Sequence, residues 1–331
     1  MSEYNIRFAN YDDIPQIMQF IDEHWKKDHI LAKNKPLFEW QYMNDNGLNM
    51  VIGEDENQVI HAILGYITYS DGDDKDFSLA LWRAREGTVF LGVKVLMFLL
   101  KEEPHRHVFC NGINMDTTVS VYRRMGFKIG RLKQWYRLRD MQEYRIAKVD
   151  NKVIPQVKRG TNIELIKIGD FDELKKNASE KLFDASKIPY KSGLYIYKRY
   201  FKHPIYKYDI WGVRNFEETI DAVIVFRVEE CNQSKALRII DIVGEHNLIY
   251  DITSQIDNIA QEYGVEYVDI YENGLDDNYL IEAGWRLIGI DKNIIPNYFS
   301  PYIPCNIDIN ICTTEENIIL FKGDGDQDRP N

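Results

Sequence analysis

The chain of 331 residues carries a formal net charge of −11, with 44% hydrophobic and 28% charged residues. This length suits two domains better than a single core, and the composition is that of a globular protein with little disorder. The acidic charge excludes a general nucleic-acid-binding surface, which needs concentrated lysine and arginine, although a local basic pocket for a phosphorylated ligand stays open.

The N-terminus and the hydrophobic runs predict a cytoplasmic protein. The first residues, MSEYNIRFAN, carry acidic and polar groups where a secretory signal would have an apolar core. The most apolar run, residues 89–100, is interrupted by Lys94 and is too short to span a bilayer. No membrane insertion is therefore expected.

Cysteine and histidine usage predicts neither a disulfide framework nor a metal site. The four cysteines form no C-x-x-C pair, and reduced thiols are expected. His105, His107 and Cys110 lie close together, but no second cluster completes a tetrahedral site. No metal is therefore expected.

The first half of the chain alternates strands and helices in an order that predicts a mixed α+β fold. A short strand over residues 4–9 precedes a helix that begins near Asp12 and Asp13 and runs to Trp25. A second helix is predicted over residues 37–43. Three strands separated by Asp/Gly turns follow, over residues 50–53, 59–69 and 77–82.

An apolar helix then runs to a stop at Pro104, and the segment HRHVFCNGINMDTTVSVYRRMGF follows over residues 105–127. This segment predicts a short buried strand, an Asn-Gly turn and a helix that ends at Gly126. Tyr122 shares one helix face with Val119 and Met125, so it points towards the body of the domain. A tyrosine held there is partly buried and has its hydroxyl free for chemistry.

This strand, asparagine-bearing turn, tyrosine-bearing helix and closing Gly-Phe resembles the C-terminal half of the GCN5-related N-acetyltransferase (GNAT) fold. The opening strand and Asp-started helix resemble the beginning of that fold. The resemblance implies acetyl-CoA, or another acyl-CoA, as co-substrate. It also implies that Tyr122 protonates the departing thiolate, that Asn114 contacts the cofactor, and that a main-chain amide near Leu81 or Trp82 polarises the thioester carbonyl.

In the family, the junction between the strand over residues 77–82 and the apolar helix binds the cofactor pyrophosphate. A helix N-terminus, a glycine and nearby arginines all favour an anion. The family pattern is Arg or Gln, two residues, Gly, one residue, then Gly or Ala; here the first gap differs and only the last glycine is kept. The expected cofactor contacts at the junction are Arg83, Arg85, Gly87, Thr88 and Gly92. An ordinary strand-to-helix turn with solvated arginines is the alternative.

The base that takes the proton from the attacking amine is left open by the sequence. Glu54 closes an early strand and Glu86 lies beside the junction, so both carboxylates are candidates, as is a water relay. Each carboxylate also suits a solvated loop.

The second half repeats the pattern of the first. Its predicted elements are a strand over residues 162–168, helices over 170–181 and 194–201, strands over 208–213, 222–228 and 236–243, a helix over 247–263, a strand over 265–271, and a helix that contains Tyr279. Asn273-Gly274, Tyr279 and Gly284-Trp285 echo Asn111-Gly112, Tyr122 and Gly126-Phe127.

We therefore predict two tandem GNAT-like domains, each a mixed and mostly antiparallel sheet flanked by helices. The first spans residues 1–145 and holds the acyl-CoA site. A linker over residues 146–160 leads to the second domain, over residues 161–321, and a polar tail covers residues 322–331.

The junction of the second half predicts a different role for that domain. Glu245 would repel a pyrophosphate, so cofactor binding is expected to be weak or lost there, and the domain is expected to shape the acceptor site instead. Glu245 and His246 could contact the acceptor and act as a general base. The alternative is a solvated helix start in which Glu245 complements the helix dipole.

The tail KGDGDQDRPN is similar to tails of GNAT-like proteins encoded among bacterial surface-polysaccharide functions. It can be free and solvated, or docked so that Arg329 or the aspartates reach a sugar or nucleotide hydroxyl. The 21 tyrosines and 6 tryptophans suit a sugar site, but they also suit packing between sheets.

The leading prediction is an acyl-CoA-dependent N-acyltransferase that uses acetyl-CoA and acylates the amino group of a small acceptor. An amino sugar or nucleotide-linked sugar is the preferred acceptor. One alternative is a tandem GNAT-like binding or assembly protein that has lost catalysis. Another is transfer of an aminoacyl group from a charged tRNA, against which the acidic net charge counts.

Overall fold

The computed structural model describes residues 4–156 and 163–330. Within them lie nine α-helices: α1 (Ile14–Phe20), α2 (Ile30–Lys33), α3 (Lys35–Tyr42), α4 (Val89–Glu102), α5 (Val119–Arg124), α6 (Phe171–Asn177), α7 (Gly193–Ile196), α8 (Ile249–Tyr263) and α9 (Asp277–Glu282). α1 and α7 continue into π-helical turns, Ile21–Trp25 and Tyr197–Phe201. Single 3₁₀ turns, Tyr11–Asp13 and His246–Leu248, precede α1 and α8.

The same residues form eighteen strands. They are β1 (Asn5–Phe8), β2 (Met43–Asn44), β3 (Gly47–Leu48), β4 (Met50–Glu54), β5 (Ile60–Thr68), β6 (Phe77–Ala84), β7 (Val108–Asn111), β8 (Lys128–Leu138), β9 (Glu164–Lys167), β10 (Asp209–Arg214), β11 (Ile220–Cys231), β12 (Ser234–Gly244), β13 (Tyr267–Asn273), β14 (Arg286–Leu287), β15 (Tyr298–Phe299), β16 (Tyr302–Ile303), β17 (Ile309–Thr313) and β18 (Leu320–Phe321).

Fourteen of the described strands form one sheet, in the order β1-β4-β5-β6-β7-β17-β8-β13-β12-β11-β10-β9, with β14 beside β8 and β18 beside β13. Most neighbours are antiparallel, while β6–β7 and β12–β13 are parallel pairs. Each half of the chain thus contributes one antiparallel ladder that ends in one parallel pair. The predicted α+β class, with a large mixed sheet flanked by helices, is confirmed.

The halves share strands at the centre of this sheet. β8 pairs with β17 through residues 128–132 and with β13 through residues 133–138. β17 belongs to the second half of the chain, yet it lies between β7 and β8 of the first half. The predicted boundaries of two domains stay a prediction, because the sheet continues from one half into the other.

Helices cover both faces of the first half of the sheet. Side chains of successive strand residues point to opposite faces, so Ile63 of β5 packs with Ile17 and Phe38 of α1 and α3. Its neighbour Leu64 packs on the other face with Leu96 of α4. The first half of the sheet is therefore buried on both faces. A ligand could reach its main chain only where two neighbouring strands separate.

Most predicted elements occur in the structure, and the ends of several shift by a few residues. The predicted helix over residues 170–181 ends at Asn177, because Ala178 is extended and bridges to Ile220. The predicted strand over 162–168 begins at Glu164. Residue 162 and residues 157–160 of the predicted linker lie outside the described residues.

The tail is docked, not solvated. Lys322, Asp324, Asp326 and Asp328 are all at most 8% exposed. The main chain of the tail is held by the Tyr69 hydroxyl, which accepts from the Gly325 N–H at 2.7 Å, and by Arg199, which donates to the Asp328 carbonyl at 2.9 Å. Both halves of the chain thus bind the tail.

In the part of the chain that the structure describes, every helix is too short or too polar to cross a lipid bilayer.

Candidate active site

The parallel strands β6 and β7 diverge after two residue pairs. Phe77 and Ser78 of β6 pair with Val108 and Phe109 of β7. Beyond Ser78, the described residues of β6 pair only with β5. The rest of β7 pairs with β17, which lies on its other edge. Main-chain amides and carbonyls of β6 near Leu81 and Trp82, both predicted at this site, therefore face an opening within the sheet. Unpaired main-chain groups of this kind are satisfied by a ligand or by water.

Tyr122 of α5 lies beneath this opening and contacts both diverging strands. Its ring packs edge-to-face against Trp82 of β6, with 5.5 Å between ring centroids. The thiols of Cys110 and Cys312, on β7 and β17, lie beside its hydroxyl. The side chain is 2% exposed, and burial raises the pKa of Tyr122 well above its usual value. The phenol stays protonated at neutral pH, which is the state that a proton donor needs.

The loop from β6 to α4 places some of the predicted cofactor residues together. Arg85, Gly87 and Thr88 precede the helix, and Gly87 has a positive φ of 83° with open space where a side chain would lie. The half-buried Arg85 has an Nε with no hydrogen-bond partner among the described residues. No side chain in the described chain caps the N-terminus of α4. The Leu91 amide donates to the Thr88 carbonyl at 2.9 Å, which leaves the amides of residues 89 and 90 available to an anion.

Arg83 and Gly92 have structural partners at this junction. The Arg83 Nε donates to the His24 carbonyl at 2.6 Å. Gly92 is the fourth residue of α4, and its carbonyl accepts from the Trp82 indole at 3.0 Å. A Cβ at Gly92 would lie 3.3 Å from the Cβ of Ala84, so this glycine lets α4 pack closely on β6. This contact accounts for Gly92 without a phosphate.

The two predicted carboxylate bases lie in different surroundings. Glu54 is 5% exposed and accepts hydrogen bonds from Arg7 and from Asn5, each at 2.9 Å. A carboxylate held in this way is not free to take a proton from an amine, so we do not carry Glu54 into the proposal below. Glu86 is exposed in the junction loop and keeps that freedom.

Two asparagines lie near the end of β7: Asn111 is its last residue, and Asn114 is in the turn that follows. The buried one, Asn111, is the nearer to the opening. Asn114 is exposed, and its side chain accepts from the amides of Asp116 and Thr117, which builds a local turn. Asn111 is 2% exposed and donates to the carbonyls of Phe321 and Asp324 at 3.1 and 3.0 Å. The sequence prediction chose Asn114; the polar residue that ends the apolar run of β7 was the signal for Asn111.

In the second half, the tail closes the equivalent opening. β12 and β13 pair in parallel over three residues and then diverge. The Gly323 amide donates to the Ile240 carbonyl of β12 at 2.8 Å, and the Lys322 amide donates to the Tyr271 carbonyl of β13 at 3.2 Å. The edges that would bind an acyl-CoA are thus occupied by the chain itself.

Glu245 and His246 lie beside this closed opening. Glu245 accepts from the Lys187 ammonium at 2.7 Å, and the ring of His246 packs near Phe321, with 5.7 Å between centroids. Burial lowers the pKa of His246 to about 3, which makes it a weak base. The structure places both residues away from Tyr122, on the second half of the sheet.

Arg329 of the tail, by contrast, lies on the first half. It forms an ion pair with Asp326, and its guanidinium stacks on Trp25 at 5.2 Å from the ring centroid. The negative charge of the nearby Asp326 carboxylate adds to burial in raising the pKa of both Tyr42 and Tyr122. Asp326 therefore lies near Tyr122, although the sequence singled it out only as part of the tail.

Partly or fully buried histidines predict that acid destabilises the fold. Burial lowers the pKa of His29 to about 4 and the pKa values of His203 and His246 to about 3. Since an unfolded histidine titrates near 6.5, the unfolded chain binds more protons below that pH, and the free energy of unfolding falls as pH falls. Burial raises the pKa of Asp241 to about 6, which acts in the opposite direction below pH 6.

We expect the three histidines to change the free energy of unfolding with pH by more than the one aspartate does. Urea denaturation at about pH 7 and about pH 5.5 should give the lower free energy of unfolding at the lower pH, with a slope of at most about 1.4 kcal/mol per pH unit for each histidine. A flat or inverted profile contradicts this expectation.

The comparisons with known proteins support the fold. No protein-family model matches the chain, and no curated protein matches its sequence. A conserved protein from Enterococcus faecalis V583, described as a probable N-acyltransferase, is 8% identical with a TM-score of 0.59. A GCN5-related N-acetyltransferase from Anabaena variabilis is 12% identical with a TM-score of 0.59. Both matches cover 94% of this chain and 72% of the other.

A third solved structure is the GCN5-related glucosamine N-acetyltransferase region of a fungal multi-domain GH3 β-N-acetylglucosaminidase. It is 10% identical with a TM-score of 0.50, and the match covers 94% of this chain and 38% of that one. Likeness at such low identity establishes the fold alone, because one fold hosts many activities. The chain therefore has the fold of the GCN5-related N-acetyltransferases.

Proposed function

We propose that the protein is an acyl-CoA-dependent N-acyltransferase, with acetyl-CoA as the acyl donor. The observation that carries the proposal is the divergence of β6 and β7 above the buried Tyr122. This opening offers main-chain donors to a thioester carbonyl on one side and a protonated phenol on the other. The uncapped start of α4, with Arg85 beside it, offers an anion site at the outer end of the same strand.

The proposed reaction needs four contributions from the protein: stabilisation of the oxyanion, protonation of the thiolate, removal of the amine proton, and positioning of the reactants. The acceptor amine attacks the thioester carbonyl carbon, while an amide of β6 near Leu81 or Trp82 stabilises the oxyanion. The carbon–sulfur bond then breaks, and Tyr122 gives its proton to the leaving thiolate. The amine loses its proton to a base, for which Glu86 or a water relay remain the candidates. Close positioning of amine and thioester supplies a large part of the acceleration.

The acceptor in this proposal is a small amine, and an amino sugar or a nucleotide-linked amino sugar is preferred. Tyr206, Tyr298 and the tail carboxylates of Asp326 and Asp328 line a cavity beside the end of β7, and this mixture of rings and carboxylates suits a sugar. The second half of the chain, whose own opening is closed by the tail, would serve to shape this acceptor site.

Acetyl-CoA should raise the melting temperature of the purified protein. A ligand that binds only the folded state stabilises it by about 2.7 kcal/mol at 100 times its Kd, which corresponds to several degrees for a chain of this size. Arg85→Ala should reduce this shift, because it removes the arginine whose Nε has no partner at the junction. Arg124→Ala, an exposed arginine on α5, is the matched control and should leave the shift unchanged.

The absence of any shift at millimolar acetyl-CoA would instead favour a binding or assembly protein without catalysis. That alternative has one structural argument, because Arg83 is already engaged by the His24 carbonyl. Equal melting-temperature shifts in the wild type and in Arg85→Ala would show that the anionic part of the cofactor binds at another place.

A further inference from the structure

A polar cavity of about 410 Å³ lies between the two halves of the chain, next to the proposed thioester site. Its walls come from β11, β12, the β15–β16 hairpin and the tail, and Gly112 and Ile113 at the end of β7 close one side. The Gln327 side chain of the tail donates to the Asn111 carbonyl at 3.2 Å on that side. The volume suits a sugar or a nucleotide, and the cavity borders one strand of the β6–β7 opening.

Lys322 is a buried cation on the wall of this cavity, and it forms no ion pair with any described carboxylate. It is 4% exposed and donates only to the side chain and carbonyl of Asn297. Arg238 donates to the same carbonyl at 2.7 Å, but its charge is matched by Asp269 at 2.6 Å. A buried ammonium without a counterion is costly, so Lys322 is the wall residue that most lacks a partner.

The cavity wall also carries unused donors. Among the described side chains that line it, the buried polar atoms without a hydrogen-bond partner are Arg227 Nε and Asn297 Nδ2. Their residues are 9% and 2% exposed. Both atoms are donors, and Lys322 adds a third. The wall also carries the carboxylates of Glu229, Asp308, Asp326 and Asp328, and Arg227 already pairs with Glu229 and Asp328. The place for acceptor oxygens of a ligand is therefore beside Lys322, which pairs with none of these carboxylates.

Aromatic rings stand beside these cations. Tyr206 lies over the Arg227 guanidinium at 4.1 Å, Phe299 lies 5.2 Å from that of Arg238, and Tyr298 lies 5.6 Å from the Lys322 ammonium. Such rings hold the cations in place and offer apolar faces to a sugar ring or base.

We propose that this cavity binds the acceptor through an oxyanion, a phosphate or a carboxylate, which is held by Lys322, Asn297 and Arg227. The proposal rests on the proposed function, and it deepens that function by making the acceptor an anionic amine. The oxyanion anchors the far end of the acceptor, so that its amino group can reach past Gln327 towards the opening beside Tyr122.

Binding of an oxyanion should be coupled to proton uptake. Burial and the nearby arginines lower the pKa of Lys322 well below its usual value, which disfavours the charged ammonium while the site is empty of an oxyanion. The charged and titratable groups that face it are Arg227, Arg238, Asp269, Asp328, Tyr271 and Tyr298. An oxyanion beside the amine favours its charged form, so binding should be accompanied by proton uptake.

Isothermal titration calorimetry with UDP, inorganic pyrophosphate and glucuronate tests this proposal on the full chain. We expect at least one probe to bind with a Kd below about 1 mM, and Lys322→Met to weaken it at least about tenfold. Phosphate and carboxylate sources are distinguished by which probe binds. Lys202→Met, an exposed lysine, is the matched control and should bind as wild type does.

No binding of any probe, or binding unchanged by Lys322→Met, overturns the proposal. The second outcome would place the probe elsewhere, for example at the start of α4. Should Lys322→Met not fold, Lys322→Gln, which keeps a polar end beside Asn297, is titrated in its place. It should weaken the probe at least about tenfold as well, and unchanged binding overturns the proposal. The melting temperature with acetyl-CoA is measured in the same preparation. A shift there without binding of any probe would show that only the oxyanion site is wrong, whereas no shift would count against the proposed function itself.

Discussion

Tyr122→Phe is expected to lower turnover at least about tenfold, equivalent to about 1.4 kcal/mol or more in the activation barrier, while the Kd for acetyl-CoA stays nearly unchanged. The substitution removes only the hydroxyl. The ring contacts with Trp82 and Phe127, at 5.5 and 5.3 Å between centroids, remain available to phenylalanine. The loss should therefore fall on the chemical step and not on folding or binding.

Steady-state kinetics with acetyl-CoA and an accepted amine measures this effect, and the melting shift with acetyl-CoA reports binding separately. The chain supplies a matched control in Tyr279, which occupies the corresponding helix of the second half and is 40% exposed. Tyr279→Phe should leave turnover unchanged. Unchanged turnover in Tyr122→Phe would remove this hydroxyl from the mechanism.

Asp328→Ala is expected to destabilise the fold by about 3–5 kcal/mol, the typical cost of breaking a buried ion pair from one side. Asp328 is 1% exposed and lies 2.5 Å from Arg227, and it accepts from the Tyr208 hydroxyl at 2.8 Å. Its removal leaves the Arg227 and Arg199 guanidinium groups buried with less compensation. It also releases the end of the tail, which closes the second half and forms the cavity wall.

Urea denaturation measures this loss, and Asp74→Ala in an exposed loop is the control, with little expected change. The pH dependence gives a second check. Arg227 and Arg199 hold the pKa of the Asp328 carboxyl below its usual value, so its stabilisation is present above about pH 3.8 and is lost as pH falls further. The difference between wild type and variant should therefore shrink in acid; an equal free energy of unfolding at neutral pH would show that the tail is not held by this carboxylate.

The elements of the chain were predictable because their signals are local. Helix α8, for instance, carries Ile249, Ile252, Ile256 and Ile259 on one buried face, a spacing that is visible in the sequence. The strand, turn and helix around Tyr122 were predicted for the same reason. This local pattern, repeated in the second half, was also what indicated the GNAT fold.

The candidate site was predictable only in part. Tyr122 and Trp82 sit on regular elements, and the structure brings their rings into contact where β6 and β7 diverge; their roles stay a prediction. Asn114 was predicted from the resemblance to the GNAT family and Glu54 from its place at the end of a strand. The partners of their side chains, a turn amide in one case and Arg7 in the other, come from contacts that neither signal encodes. Ser78, where β6 and β7 begin to diverge, has no motif of its own.

The sequence by itself determined the order of strands and helices, the repeat and the buried tyrosine, since each follows from the periodicity of apolar side chains along a few turns or strands. Only the tertiary structure decided that β17 pairs into the first half, that the tail closes the second opening, and that Lys322 faces a cavity without a counterion. The pairing of Ile311 in β17 with Asn111 in β7 joins residues two hundred positions apart, and the other two features also depend on contacts between separate elements. Long-range pairing of this kind is selected by the packing of the whole chain, because a polar segment such as the tail has no hydrophobic period that would fix its place.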